Sequence, residues 1–443
     1  MHVLLLGYRP ALKKNLNFVF LFIRKGYKVF SPLRKRFIYK GKNDIMKTLE
    51  ILYMDNNQKH LNHIDKVNLG SYYTPEIIVD LAYSILNKNI SDIKNWTILD
   101  SSCGYGSFLT KKVVAKRLVG ADIDETAISE AQKKNKDITF IYQNSLANVC
   151  RENLAIKTEE KLITIGNPPY NDTTSIIRNS IKDVSVQNKI DFDIKTRDLG
   201  MSFLLSYDKL KADYVCVLHP LSYLIKKANF ALLSKFSRNY KLIDGIIISS
   251  HEFSETSRGM AFPILIALYK RDQDGMSYEY IKNYQFKVKD DGHFCLNDFD
   301  TIVNYVQKYP NKKYLNKNDK PVAKFWTLRD INALKRNRTF IDSDTYNTVY
   351  ILMEKLPYYC YIDVFKQYTD KMPYFIGNCD VIIDNEKFDK IKECFIAQSV
   401  HTNPILKNKF KFREVPNAKL KIDNYFKELL GSKLGEKYAK NFN

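Results

Sequence analysis

The feature that most constrains the fold is an alternation of short apolar runs with longer amphipathic runs between about residues 66 and 271. Short apolar runs are typical of strands buried on both faces, and amphipathic runs between them are typical of βα crossover helices. Five such runs predict a mostly parallel sheet and two more complete it: residues 96–99, 117–121, 138–142, 162–166 and 214–218, then 242–248 and 262–269. The sequence therefore predicts an α/β protein with helices on both faces of a sheet.

The chain of 443 residues is longer than one compact core usually organises. After residue 271 the βα rhythm gives way to short aromatic and Lys-rich pieces, without repeats or a low-complexity linker. We therefore predict three parts: a basic N-terminal extension (1–55), a catalytic domain (56–275) and a C-terminal domain (276–443).

The net charge of +21 favours a polyanionic partner, although a lysine-rich surface gives the same composition. Between residues 9 and 42 every charged side chain is positive. This segment is interpreted either as a basic arm that contacts phosphates or as an extension without a role.

Composition also argues against several classes of site. The seven cysteines are scattered and never spaced as Cys-x-x-Cys, which predicts neither a disulfide framework nor a zinc site and fits a reduced cytoplasm. His60 and His63 have no cluster of further ligands, so a solvated surface pair is preferred to a metal site. The apolar run at 18–23 is too short for a membrane span and is not followed by a signal-peptide cleavage site.

The first predicted strand ends in an acid and a Gly-x-Gly turn, with the sequence Asp100-Ser101-Ser102-Cys103-Gly104-Tyr105-Gly106. Glycines let the backbone approach a ligand closely, and a helix starting after the turn would favour a negative group such as a carboxylate. A purely structural turn gives the same pattern, so this motif alone does not identify the ligand.

Polar side chains follow the next two strands. Asp122 is placed to accept two hydrogen bonds from a ribose diol, whereas Asp124 is predicted to cap the next helix. Asn144 offers an amide oxygen to the exocyclic amine of an adenine. Because no phosphate-binding lysine motif is present, the predicted ligand is a nucleoside with an amino-acid tail.

The fourth strand leads into Asn167-Pro168-Pro169-Tyr170, called here the Asn-Pro-Pro-Tyr loop. Consecutive prolines keep the chain extended and leave backbone carbonyls without amide partners. The Asn167 side-chain oxygen and the Pro168 carbonyl can accept both N–H bonds of an aromatic amine, which localises its lone pair for attack on a methyl group. The Tyr170 ring offers a stacking surface for a base that has left its duplex. The alternative is a plain proline-rich loop with a surface tyrosine.

Together these motifs resemble the N6-adenine-specific DNA methyltransferases of the gamma arrangement, as found in restriction-modification systems. The resemblance covers about residues 66–271 and rests on order: Tyr73-Thr74-Pro75, the glycine turn, the Asn-Pro-Pro-Tyr loop and then a C-terminal region. It implies a Rossmann-like class I methyltransferase sheet and a C-terminal α+β target-recognition domain. It also implies S-adenosyl-L-methionine as cofactor and transfer of its methyl group to a flipped-out adenine in double-stranded DNA.

The resemblance also assigns site residues. The catalytic set is Asn167, Pro168, Pro169 and Tyr170, and the cofactor-binding set is Thr74, Asp100, Ser102, Gly104, Gly106, Asp122, Ile123, Asn144, Ser145 and Asn167. Residues 198–203 resemble the helix after the catalytic loop, and residues 219–223 resemble the loop after the fifth strand. Phe253 is expected to sandwich the base opposite Tyr170, with an ordinary core phenylalanine as the alternative. Asn144 stands where the family more often has Asp but keeps the acceptor.

Two other functions carry part of the same pattern. Ribosomal RNA methyltransferases and release-factor glutamine methyltransferases use similar loops, but the Thr74-Pro75 segment and the long C-terminal region favour DNA. A non-enzymatic DNA-binding module is disfavoured by the intact Asn167 and glycine turn. The expected protein is a cytoplasmic monomer without a membrane or a metal, and a nearby restriction endonuclease is an implied partner. DNA contact is expected in residues 276–443, for example at Lys407, Lys409, Lys411 and Arg413. The alternative for these four residues is an ordinary amphipathic strand.

Overall fold

The computed structural model describes residues 74–111, 113–170, 189–253, 261–289, 292–411 and 414–440. The basic segment 9–42, His60, His63, Tyr73, Ser254, Phe412 and Arg413 lie outside these residues. The strands are β1 Thr97–Asp100, β2 Arg117–Asp122, β3 Thr139–Tyr142, β4 Leu162–Gly166, β5 Tyr214–Pro220, β6 Tyr240–Ser249, β7 Pro263–Arg271, β8 Phe286–Val288, β9 Gly292–Phe294, β10 Asp300–Thr301, β11 Ala323–Trp326, β12 Phe340–Ile341, β13 Thr348–Ile351 and β14 Ile382–Ile383.

The helices are numbered in the same way along the described chain. They are α1 Glu76–Asn89, α2 Glu125–Lys134, α3 Leu199–Lys209, α4 Ser222–Ile225, α5 Lys227–Leu232, α6 Ser234–Asn239, α7 Tyr278–Asn283, α8 Ile331–Leu334, α9 Leu356–Lys366, α10 Asn385–Thr402, α11 Pro404–Lys409, α12 Ala418–Leu434 and α13 Glu436–Ala439. None of the described helices is both long enough and apolar enough to cross a membrane.

Nine strands form one sheet in the order β3-β2-β1-β4-β5-β7-β6-β8-β9. Strands β1 to β5 run parallel to one another, whereas β7 lies antiparallel between β5 and β6. All seven predicted strands are present within two residues of their predicted limits. The predicted Rossmann-like α/β sheet is therefore confirmed. Strands β8 and β9 extend it beyond the predicted boundary at residue 275.

Both faces of this sheet are buried, which explains why its strands are apolar throughout. In β5, Cys216 and Leu218 pack with α1, whereas Val215 and Val217 pack with α3. Successive side chains of a strand point to opposite faces, so one short run contributes to both cores. The sheet is thereby covered by helices on both faces.

The parallel strands all end at one edge, called here the carboxyl edge. Strand β1 pairs with β2 on one side and with β4 on the other. Strands β2 and β3 are therefore placed on one side of β1, and β4 and β5 on the other side. Open α/β sheets bind ligands in the crevice outside such a switch point. The glycine turn follows β1 and the Asn-Pro-Pro-Tyr loop follows β4, so both predicted motifs lie at the crevice.

The region after β9 contains a two-stranded sheet, a three-stranded sheet in the order β12-β11-β13 and several helices. Its core is aromatic, with the Tyr361 ring surrounded by Phe365, Phe388, Phe395, Tyr425 and Phe426. Residues 404–409 form helix α11, so the alternative of an amphipathic strand around Lys407 and Lys409 is wrong. Pro404 at the first helical position and the Asn403 cap, which accepts from the Ile405 N–H, explain the helix.

Candidate functional site

The glycine turn has the left-handed backbone that only glycine adopts without strain. The φ angles are +48° at Gly104 and +80° at Gly106. A Cβ atom added to Gly104 would meet nothing within 4 Å, so the turn leaves open space there. A Cβ atom on Gly106 would lie 3.1 Å from the Phe140 ring of β3, so this glycine lets the turn pack on the sheet.

The prediction of a helix after this turn is wrong. Thr110 N donates to Gly106 O across 2.9 Å, but residues 104–110 form only consecutive turns. Phe108 and Leu109 are buried together, and Val113 N donates to Lys111 O instead of to Leu109 O, so no further helical turn follows. Ser102 N, Gly104 N and Gly106 N already donate within the fold, so what the turn leaves to a ligand is the open space at Gly104.

Asp122 fastens the turn to the end of β2. Its Oδ2 accepts from Gly104 N at 2.7 Å, and its Oδ1 accepts from Asp124 N at 2.9 Å. Burial raises the pKa of Asp122 despite these bonds. Asp124 caps α2 by accepting from Ala127 N at 3.0 Å, as predicted, and the neighbouring Ile123 is partly exposed. Asp122 thus shapes the turn, and each of its oxygens keeps a second lone pair for a ligand hydroxyl.

Asp100 lies beneath the junction of β1 and β4. Its Oδ1 accepts from Ser102 N at 3.1 Å, and a Cβ atom added to Gly166 would lie 2.6 Å from the same oxygen. Gly166 is therefore required for the close approach of β4 to this carboxyl group. Burial, and next the negative charge of Asp122, raise the pKa of Asp100 to about 8.

Asn144 is held by the loop that follows β3. Its Oδ1 accepts from Leu146 N at 3.0 Å, and its Nδ2 donates to Lys189 O at 3.4 Å. The predicted acceptor is thus oriented by its own loop and retains one lone pair on Oδ1. Next to it, the Ser145 hydroxyl oxygen is buried without a partner among the described residues.

Sequence reasoning missed the segment 189–195, which packs beside the Asn144 loop. The Asp191 carboxylate accepts from Asn148 N at 2.7 Å and from Val149 N at 2.9 Å, and Lys209 completes an ion pair with it. Phe192 in this segment is 96% exposed. The only sequence signal was an isolated Phe between two aspartates, and this pattern does not distinguish a site residue from a surface residue.

The Asn167 side chain is fixed at one end and unpaired at the other. Its Nδ2 donates to Thr74 Oγ1 at 3.2 Å, whereas its Oδ1 is buried and has no partner among the described residues. Buried polar atoms are nearly always hydrogen-bonded, so this oxygen is prepared for a donor that the chain itself does not supply. Pro168 is buried and Pro169 is half-buried beside it.

Tyr170 closes the loop and packs against the apolar cores on both faces of the sheet. A Cβ atom added to Gly200 would lie 3.1 Å from Tyr170 Cβ, so the first turn of α3 supports the tyrosine directly. Phe253 is only 3% exposed and belongs to the core on the α1 side. This burial agrees with the alternative that Phe253 is an ordinary core phenylalanine. Stacking of Phe253 on a base stays a prediction.

A second layer of polar groups supports this turn of α3. The Asp198 Oδ1 caps the helix by accepting from Gly200 N at 3.0 Å and also accepts from the Tyr223 hydroxyl. The Tyr223 ring stacks on His219 with 5.2 Å between the ring centroids. His219 Nδ1 donates to Pro220 O at 3.0 Å, so its Nε2 accepts from the Tyr269 hydroxyl at 2.7 Å. Burial lowers the pKa of His219 to about 4, which keeps the ring neutral.

The polar atoms of the carboxyl edge fit a nucleoside ligand. Three of the buried side-chain atoms that have no described partner lie on loops at this edge: Ser102 Oγ, Ser145 Oγ and Asn167 Oδ1. They follow β1, β3 and β4, and Asp122 ends β2 between them. No cluster of three or more His, Cys, Asp or Glu residues suited to a metal ion occurs among the described residues.

Comparisons with known proteins give weak similarities. No protein-family model and no curated protein matches the chain. Three solved structures illustrate the range of similar folds.

A class I S-adenosylmethionine-dependent methyltransferase from Listeria monocytogenes has 20% identity and a TM-score of 0.38 over 56% of this chain and 73% of that chain. The methyltransferase subunit of a type I restriction-modification system from Streptococcus thermophilus has 17% identity and a TM-score of 0.34 over 45% of each chain.

A third structure, described as an RNA methyltransferase from Pyrococcus horikoshii, has 15% identity and a TM-score of 0.32 over 46% of this chain and 89% of that chain. The present chain thus spans less than half of the Streptococcus subunit. At such low scores the similarities carry no argument about family or substrate, so the functional argument rests on the site.

Proposed function

We propose that the protein is an S-adenosylmethionine-dependent methyltransferase that acts on the N6 amine of adenine in duplex DNA. The observation that carries this proposal is the buried, unpartnered Oδ1 of Asn167 at the switch point of the sheet. This oxygen matches one N–H bond of an exocyclic amine, and the Pro168 carbonyl next to it matches the other.

The chain's own residues position the amine rather than activate it with a strong base. Two acceptors draw the N–H bonds out of the plane of the base and localise the lone pair on nitrogen. Because Thr74 fixes the Asn167 amide, the acceptor needs little reorganisation during the reaction. Tyr170 contributes its ring for stacking on the base, and the first turn of α3 packs close to the Tyr170 Cβ atom.

The cofactor-binding residues proposed from the sequence suit S-adenosylmethionine. Asp122 would hold the ribose hydroxyls, Asn144 and Ser145 the adenine, and Thr74, Ser102 and Gly104 the amino-acid end. When bound, the cofactor supplies a methyl group on a positively charged sulfur that leaves as a neutral thioether. The methylated amine then releases one proton to solvent.

DNA is the preferred substrate because of the charge and the length of the chain. The +21 net charge suits a polyanion, and we propose a target-recognition domain within residues 276–443, after the strands β8 and β9 that belong to the main sheet, beside a catalytic domain at 56–275. A cytoplasmic monomer that works with a cognate restriction endonuclease is part of the same proposal.

The test is methyl transfer from labelled S-adenosylmethionine to duplex DNA, followed by identification of the modified nucleoside. We expect N6-methyladenine, and we expect Asn167→Ala to abolish transfer while cofactor binding remains close to wild type. Asn95→Ala, an exposed asparagine at the opposite edge of the sheet, serves as control and should keep full activity. Transfer only to ribosomal RNA or to a release factor would overturn the DNA assignment.

A second experiment tests base flipping. Tyr170→Ala should reduce transfer more for a paired adenine than for a mismatched adenine, because stacking offsets the cost of unpairing. Equal loss on both substrates would contradict a stacking role for Tyr170.

A further inference from the structure

Three arginines in the segment 329–338 stand apart from the other described arginines. Arg329, Arg336 and Arg338 are exposed, and none of their guanidinium groups forms a hydrogen bond or ion pair with a described residue. The remaining five described arginines are bonded within the fold, each to a named partner: Arg117 to Glu160, Arg151 to Glu160 O, Arg197 to Asn229, Arg238 to Ser234 O and Arg271 to Asp208. Among the described residues, the guanidinium groups that the fold leaves available are thus concentrated within ten residues.

Nearby acids do not neutralise these arginines. Asp330 forms an ion pair with Lys226, and Asp370 forms one with Lys335. Both acids therefore have a lysine partner, and the three guanidinium groups contribute their full positive charge to this surface.

The segment is attached to the carboxyl edge of the main sheet. Lys226, the partner of Asp330, follows α4 in the loop that leaves β5. Asn332 Nδ2 donates to Ala261 O, two residues before β7, across 3.3 Å. Two contacts thus hold the segment against the loops that leave β5 and enter β7, on the side of the sheet where the Asn-Pro-Pro-Tyr loop lies.

The backbone of the segment is also ordered by its own contacts. Asp330 Oδ1 caps α8 by accepting from Ala333 N at 2.9 Å, and Ile331 and Leu334 are buried. The Arg338 guanidinium lies over the Trp326 ring at 6.0 Å from its centroid. A stacked guanidinium on an ordered backbone loses less entropy when it binds than a free lysine does.

We propose that Arg329, Arg336 and Arg338 bind the phosphate backbone of the DNA duplex whose adenine enters the site. Planar guanidinium groups match phosphate oxygens in pairs, and the attachment to the carboxyl edge places them beside the entering strand. This inference rests on the proposed function, since it names the contact surface of the same substrate.

The test compares two triple variants of the full chain that lose the same charge. One is Arg329→Ala/Arg336→Ala/Arg338→Ala, and the other is Lys94→Ala/Lys116→Ala/Lys136→Ala, whose exposed lysines precede β1, β2 and β3 at the opposite edge. DNA affinity is measured as a function of salt concentration. Each lost phosphate contact lowers the slope of log K against log[salt] by about 0.9.

We expect the arginine variant to lose about 2 to 3 units of this slope, with cofactor affinity unchanged and the rate at saturating DNA close to wild type. The lysine variant should keep the wild-type slope. Replacement of the same three arginines by lysine should restore most of the slope, because a lysine still binds phosphate as a point charge. This rescue separates phosphate binding from a folding defect.

Equal slopes for the two alanine variants would overturn the proposal, as would a slope change seen with duplex RNA but not with duplex DNA. Both readouts are binding measurements and need no methyl transfer. The proposal can therefore fail while DNA methylation is observed, and it can hold when the methylated atom is not the N6 amine.

Discussion

Asn167 Nδ2 donates a hydrogen bond to Thr74 Oγ1, and this bond links the loop after β4 to the residue pair that precedes α1. The two residues are 93 positions apart in the sequence. Because the amide nitrogen is used by Thr74, the amide oxygen is the atom left for a ligand. Thr74 is itself buried, so solvent competes little for its hydroxyl.

Thr74→Val should therefore slow methyl transfer without weakening DNA binding. Valine has nearly the same shape but cannot accept the amide N–H bond, which costs about 1 kcal/mol and corresponds to a loss of roughly fivefold in rate. Single-turnover rates at saturating DNA and cofactor measure this effect. Thr74→Ser keeps the acceptor and should remain near wild type, and an unchanged rate in the valine variant would show that Thr74 does not position Asn167.

Gly200→Ala should disturb Tyr170 through direct contact. The new Cβ atom would lie 2.6 Å from the Tyr223 hydroxyl oxygen and 3.1 Å from Tyr170 Cβ, so both aromatic residues must shift. We expect transfer to a paired adenine to fall at least tenfold and the free energy of unfolding to fall by about 1–3 kcal/mol. Gly431→Ala in α12 is the matched control, because its Cβ atom would meet only Ala439 Cβ at 3.3 Å. Full activity of Gly200→Ala would contradict the close packing beneath the loop.

Features set by local sequence were predicted correctly. Each of the seven strands is a short apolar run, and the cap of α2 needs only an acid just before the helix, so both patterns can be recognised from neighbouring residues. The prediction of a helix after the glycine turn was wrong. It was inferred from the motif, whereas in the structure Val113 N donates to Lys111 O and no helical turn follows.

Pairings between distant residues could not be predicted. The Tyr269 bond to His219 depends on the antiparallel placement of β7 beside β5, and the Tyr223 bond to Asp198 depends on how the β5 loop folds over α3. Nothing in the local sequence of these residues distinguishes them from ordinary core residues. The same holds for the free arginines, since only the fold shows which arginines already have partners.

Asp100 should make the protein less stable as pH rises. Its pKa is about 8 in the folded protein and near 4 when unfolded, so the folded state retains a proton that the unfolded state releases. This contribution is fully present below pH 4 and is lost as pH rises through 8. Between pH 4 and 8, the free energy of unfolding of the wild type should fall with a slope of up to about 1.4 kcal/mol per pH unit from this group. Denaturant unfolding should show that Asp100→Asn removes this slope. The control Asp92→Asn changes an exposed residue with φ of +57°, which asparagine tolerates, and should leave the slope unchanged.

His219 should have the opposite effect on the acid side. Burial lowers its pKa to about 4 from near 6.5, so between these pH values the unfolded state binds a proton that the folded state does not bind. The stability gained from the neutral ring is present above pH 6.5 and is lost as pH falls toward 4. Between pH 4 and 6.5 the contributions of Asp100 and His219 oppose each other, so the wild-type stability should vary less with pH than that of either variant.

His219→Gln isolates this contribution because glutamine does not titrate and can still accept from the Tyr269 hydroxyl. We expect lower stability than wild type at pH 7, since the bond to Pro220 O and the stacking on Tyr223 are lost. Between pH 4 and 6.5 we expect stability to rise as pH falls, because the raised pKa values of Asp100 and Asp122 are then no longer opposed by the histidine. His293→Gln, which changes an exposed histidine, should follow the wild-type profile. If His219→Gln also follows the wild-type profile, then the His219 ring takes up its proton in the folded state as readily as in the unfolded state. The hydrogen bond in which a neutral His219 accepts from Tyr269 would then not support Tyr223 and α3.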